Sequence, residues 1–182
     1  LVCWTAVYNF SLAFGDSVKI VVMPKGNAVQ AVLYDKTKGM VFDMGSKGKL
    51  NSGMESFLEL YGIKELKGAF IESEQYYTIT KYNEQMTIRP DRFYINGEPD
   101  NDSELPFITG AQLDWNGVKI EALEDGYKTT TEGCVVTIEK GSVTINGRNL
   151  DTTDEEYPLM IDMKNSQIRR TDYGFAYGFG SW

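Results

Sequence analysis

The chain carries one clear amphipathic helix among many strand-length segments, so its sheets must cover one another to build a core. The helix runs from Ser52 to Tyr61. Ser52 stands three residues before Glu55, the spacing of a capping box. Met54, Phe57, Leu58 and Tyr61 fall at i, i+3, i+4 and i+7 and make one apolar face. Gly62 follows as a C′ stop. Strands are expected at Trp4 to Ala13, Val18 to Met23, Ala28 to Tyr34, Met40 to Asp43 and Gly68 to Ile71. Tyr76 to Tyr82, aromatic and β-branched, fits either strand or helix. Further on, Arg92 to Ile95 runs into the turn signal Asn96-Gly97. Strands at Val118 to Leu123, Cys134 to Ile138, Ser142 to Ile145, Leu159 to Met163 and Gln167 to Arg170 complete the set. Glu98 to Pro106 and Asp151 to Glu156 read as acidic surface loops.

The fold class is therefore α+β and strand-rich: a two-sheet sandwich with flanking helices. Residues 1–182 read as a single domain, with 171–182 a loosely ordered tail of alternating glycines and aromatics. A hydrophobic content of 42% is enough for a real core. The net charge of −8 argues against broad contact with nucleic-acid backbones, and Arg169-Arg170 is too short to make a basic patch. No stretch approaches the ~20 apolar residues of a membrane helix. The opening, Leu1 to Val7, is apolar and lacks an initiator methionine, which suits a first core strand or the tail of a preceding membrane helix. Cys3 and Cys134 are far apart in sequence; two buried thiols are the commoner outcome, and one disulfide is the other.

Histidine is absent. That removes the usual general base and the commonest metal ligand. Serine nucleophiles at Ser17 or Ser73 would need activation by lysine or a carboxylate. Glu72 and Glu74 have the residue types of an acid/base pair, but a solvated acidic turn is the simpler reading. The aromatic residues Tyr76-Tyr77 and Tyr82, and Phe175, Tyr177 and Phe179, have the surface to stack on sugars or bases, although most tyrosines in such a protein serve the core.

The order of motifs in the first half resembles the metallo-β-lactamase-like domain of ComEC-type competence proteins. In that family the first core strand ends in L-D-V-G-Q-G-D-S; here Phe10 to Ser17 keeps Gly15-Asp16-Ser17. Two strands follow, the second ending in I-D-x-G, which Phe42-Asp43-Met44-Gly45 matches. A helix and a turn similar to Tyr61 to Leu66 come next. The following strand should end in the metal motif S/T-H-x-H-x-D-H; here it leads into Glu72-Ser73-Glu74. The later G-D strand end, whose Asp bridges the metals, is closest to Ile145-Asn146-Gly147-Arg148, with a cation in the Asp position. The resemblance covers about residues 4 to 150 and implies a reduced metallo-β-lactamase fold. It also implies a degenerate site at Asp16, Asp43, Glu72, Ser73 and Arg148, with no cofactor or catalytic metal. The implied setting is an extracytoplasmic domain of a membrane protein linked to DNA uptake. Its partner would be protein, the parent membrane domain or a neighbouring subunit, rather than DNA. An extracellular β-rich binding or adhesion domain, secreted or at the cell surface, is the alternative. A hydrolase using carboxylates alone is the second alternative.

Overall fold

The computed structural model describes residues 17–25, 27–46, 52–72, 76–97, 99, 104–150 and 158–170. The described residues open with three consecutive antiparallel strands, β1 (Lys19–Lys25), β2 (Ala28–Asp35) and β3 (Lys38–Met44). Their near-continuous apolar sequence reflects burial on both faces of the sheet. Helix α1 (Ser52–Leu60) then carries the chain to β4 (Glu65–Glu72), which pairs parallel to β3. Helix α2 (Tyr76–Gln85) carries it to β5 (Phe93–Asn96), parallel to β4, and β6 (Glu104–Pro106) adds parallel to β5. A parallel neighbour requires a crossover, and the two helices supply it for β4 and β5.

Six strands follow as an antiparallel meander: β7 (Gln112–Trp115), β8 (Val118–Ala122), β9 (Gly126–Thr130), β10 (Val135–Glu139), β11 (Ser142–Ile145) and β12 (Arg148–Asn149). They make the second sheet. The chain then returns to the first sheet, where β13 (Leu159–Asp162) pairs with β1 and β14 (Gln167–Arg170) pairs with β13. The first sheet is thus eight-stranded, in the order β14-β13-β1-β2-β3-β4-β5-β6.

Each face of the first sheet has its own core. Phe42, Phe70, Leu33 and Ile20 meet Tyr127, Val136, Ile138 and Ile120 of the second sheet. Val21, Val32, Val41 and Ile71 meet Met54, Phe57, Leu58, Tyr82 and Met86 of the helical layer. The expected α+β two-sheet sandwich is present, with both helices on one side. The predicted helix at Ser52 is present and its stripe is buried, with Met54, Phe57 and Leu58 all 0% exposed. It ends in a Schellman arrangement: Ile63 N–H donates to Leu58 C=O at 2.8 Å and Gly62 N–H to Glu59 C=O at 3.1 Å, with Gly62 at φ 66°. Glu55 ties α1 to the end of α2, because its Oε1 accepts the Thr87 amide at 2.6 Å.

One open reading is settled and two need correction. The ambiguous Tyr76 segment is helical, with Ile79, Tyr82 and Met86 buried against the sheet. The end of the presumed loop at Glu98 to Pro106 is strand β6, and Glu104 is buried there. Asn96-Gly97 leaves the sheet without closing a hairpin, because the next strand arrives parallel. The Asn-Gly pairs that do close hairpins are Asn116-Gly117 (φ 51° and 76°) and Asn146-Gly147 (φ 48° and 76°), the two positive φ values of a type I′ turn. The acidic loop at Asp151 to Glu156 and the tail at 171–182 lie outside the described residues.

Candidate functional site at the strand tips

Because β3, β4 and β5 are parallel, their C-terminal ends share one edge of the sandwich. Asp43, Glu72 and Asn96 all stand there. Asp43 is level with Ile71, one residue before Glu72 on the adjacent strand. Side chains alternate along a strand, and this separates the two carboxylates. Asp43 shares the face of Val41, toward the helices; Glu72 shares the face of Phe70, toward the second sheet. Neighbouring tips therefore present their carboxylates to opposite sides of the sheet.

Asp43 is fully buried. Its Oδ2 accepts from Gln30 Nε2 at 2.8 Å and from the Tyr82 hydroxyl at 3.2 Å. Gln30 lies directly opposite on β2, and Tyr82 comes from α2. Burial drives the Asp43 pKa upward, against the opposing pull of Ser46, Gln30 and Tyr82. Asp43 Oδ1 and Ser46 Oγ, both buried, complete no hydrogen bond of good geometry among the described residues. The Tyr82 hydroxyl is likewise pushed well up, by burial first and the Asp43 carboxylate second. This arrangement encloses Asp43 inside the fold and leaves it no exposed face from which to act as a base.

Glu72 meets the second sheet. Its Oε1 lies 3.6 Å from Lys140 Nζ, at the β10–β11 turn. Beside it the Tyr127 hydroxyl donates to the Ile71 carbonyl at 2.9 Å, so the tip of β4 is tied to β9. Asn96 Nδ2 donates to the Leu123 carbonyl at 2.8 Å and ties β5 to the β8–β9 connection. Gly45, just past β3, has φ 79°, and a Cβ there would come within 3.1 Å of Lys140 Cγ and 3.3 Å of the Asn27 carbonyl.

The sequence candidates do not converge on one edge. Asp16 and Ser73 lie outside the described residues. Ser17, next to Asp16, donates to Asp162 at 3.0 Å and precedes Lys19, which pairs with Tyr34 and through it is level with Gly39. From that level to Asp43 and back from Lys19 to Ser17 is a span of about 20 Å, at roughly 3.3 Å per residue. Ser17 thus belongs to the far edge. So does Arg148, which follows the Asn146-Gly147 turn, is exposed, and pairs with Ile145. Asn146 Nδ2 donates there to Ser166 Oγ at 3.0 Å. Asp43 and Glu72 remain together at the tips; Arg148 does not join them. Cys134 is a buried thiol at the far edge, its pKa raised by burial, and Cys3 lies outside the described residues.

Sequence reasoning missed Gln30 and Lys140, and it offered Tyr82 as a stacking surface where the structure buries it against Asp43. Gln30 did carry a signal, since it interrupts the apolar run Ala28 to Leu33. Among the described residues no three His, Cys, Asp or Glu side chains converge as a metal site would require, and no helix is long and apolar enough to cross a membrane. Neither protein-family models nor curated protein sequences yield a match to this chain.

Proposed function

We propose that the chain is a non-catalytic, metal-free metallo-β-lactamase-like domain of a ComEC-type membrane protein linked to DNA uptake. In this reading it works outside the cytoplasm and contacts protein, its own membrane domain or a neighbouring subunit. The observation that carries the reading is Asp43. It stands at the strand tip where the I-D-x-G motif ends, yet it is enclosed by Gln30 and Tyr82 and turned away from Glu72. The donor set does not fit a catalytic metal: one carboxylate is buried with two donors on it, and the other faces an ammonium.

The strand count does not fit Gly15-Asp16-Ser17 as the family's G-D-S motif, because three strands, β1, β2 and β3, separate it from the end of Phe42-Asp43-Met44-Gly45. The family places two strands between its G-D-S motif and the end of I-D-x-G. Counting back from Gly45, those strands are β3 and β2, so β1 is the first core strand and Gly26-Asn27-Ala28 takes the G-D-S place. The Asn27 carbonyl lies beside Gly45, 3.3 Å from where its Cβ would stand. Asp16 then precedes the motif, and an amide, Asn27, stands where the family has its carboxylate.

Elemental analysis of protein purified without chelator, with a nuclease assay supplemented with Mn²⁺, Mg²⁺ or Zn²⁺, tests the reading. No stoichiometric metal and no cleavage are expected. Cleavage abolished by Asp43→Ala would overturn it in favour of a carboxylate-based hydrolase. The parent gene tests the setting: several membrane helices encoded directly before Leu1 are expected, and adhesin repeats there would favour a surface binding domain.

A further inference from the structure

We propose that Lys140 is a built-in cation that latches the second sheet onto the tips of β3 and β4. Three contacts converge on the β10–β11 turn. The Lys140 stem lies against Gly45, where a Cβ would approach Cγ to 3.1 Å and Cε to 3.4 Å. The ammonium is 3.6 Å from Glu72 Oε1. The next residue, Gly141, sits over Asn27, whose carbonyl would be 3.7 Å from an added Cβ. One turn of the second sheet thus touches the exits of β1, β3 and β4 together. Lysine suits this place because its apolar stem packs on backbone while its charge reaches a carboxylate beyond. Glycine at 45 leaves the stem room. The ion pair is half exposed, so its contribution is local: it holds the strand tips closed and adds little to global stability.

The test is amide hydrogen exchange on the whole chain, comparing wild type with Lys140→Met, which keeps the stem and removes the charge. Exchange at Gly45, Ser46 and Glu72 should quicken by about two- to fivefold, the range of an exposed or half-exposed ion pair. Lys128→Met breaks the Lys128–Glu121 pair, which lies within the second sheet, and should leave those amides unchanged. Wild-type exchange at all three amides in Lys140→Met would overturn the latch.

Discussion

The Tyr82 hydroxyl reaches from α2 to Asp43 Oδ2 at the end of β3, 3.2 Å away, and shares that oxygen with Gln30. A helix is thereby fastened to a sheet through a carboxyl group whose charge the surroundings disfavour. Burial raises the Asp43 pKa above its ordinary 3.8. A group with a raised folded pKa contributes stability that is fully present below its unfolded pKa. That contribution is lost as pH rises toward and through the folded value. Asp43→Asn keeps an acceptor for both donors and cannot ionise. The variant should match wild type near pH 4 and become the more stable of the two as pH rises to 8. The gap should amount to about 1.4 kcal/mol for each unit separating the folded and unfolded pKa. Chemical denaturation across that range measures it; a constant gap would refute an ionisation penalty at Asp43.

Tyr82→Phe keeps the ring in its buried place and removes one donor from Asp43. The loss should be on the order of 1–2 kcal/mol, as for a buried hydrogen bond whose partner is left behind. Thermal unfolding together with exchange at the α2 amides reports it. Combining Tyr82→Phe with Asp43→Ala should cost less than the sum of the two effects, because each change alone removes the same hydrogen bond. Strict additivity would mean that the bond contributes nothing.

Glu55 accepts the Thr87 amide just beyond the end of α2, and this hydrogen bond holds its pKa below the ordinary 4.5. A depressed carboxylate contributes stability that is present above its unfolded pKa and is lost as pH falls through the folded value. The Thr87 amide resonance should therefore titrate with a midpoint below 4.5 in wild type. In Glu55→Gln it should show no such step. A Thr87 midpoint at or above the ordinary value would show that the contact is not formed in solution.

The first sheet was legible where burial on both faces left apolar runs, as in Val18 to Met23 and Ala28 to Tyr34. Helix α1 was legible because its stripe and its stop agree. The missed strands β6, β7, β9 and β12 are short, and β6, β7 and β12 lie at sheet edges. Gly126-Tyr127-Lys128-Thr129-Thr130 buries Tyr127 and Thr129 on one face yet offers little hydrophobic contrast. Hairpin partners were legible where a short polar turn joins two strands, at Asp35 to Gly39, Glu139 to Gly141 and Lys164 to Ser166, and all three pairs form; the parallel neighbours β4 and β5 and the pairing of β13 with β1 were not, since they depend on the crossovers. At the candidate site, the position of Asp43 at a strand tip could be read from Asp43-Met44-Gly45. Its enclosure could not, because Tyr82 is distant in sequence and its segment was ambiguous. Arg148 was misplaced for a local reason: Asn146-Gly147 is hairpin chemistry, and it was read as a strand end.

The return of β13 to β1 sets the order in which the chain can be completed during synthesis. The second sheet is a run of local hairpins and can assemble as it emerges. The first sheet cannot, because Lys19 to Val22 must wait for Leu159 to Asp162. Until then β1 offers a bare apolar edge open to pairing with other chains. A nascent chain of this protein therefore presents its earliest described strand to the cell nearly until translation of its last, and that interval is when a chaperone would be needed.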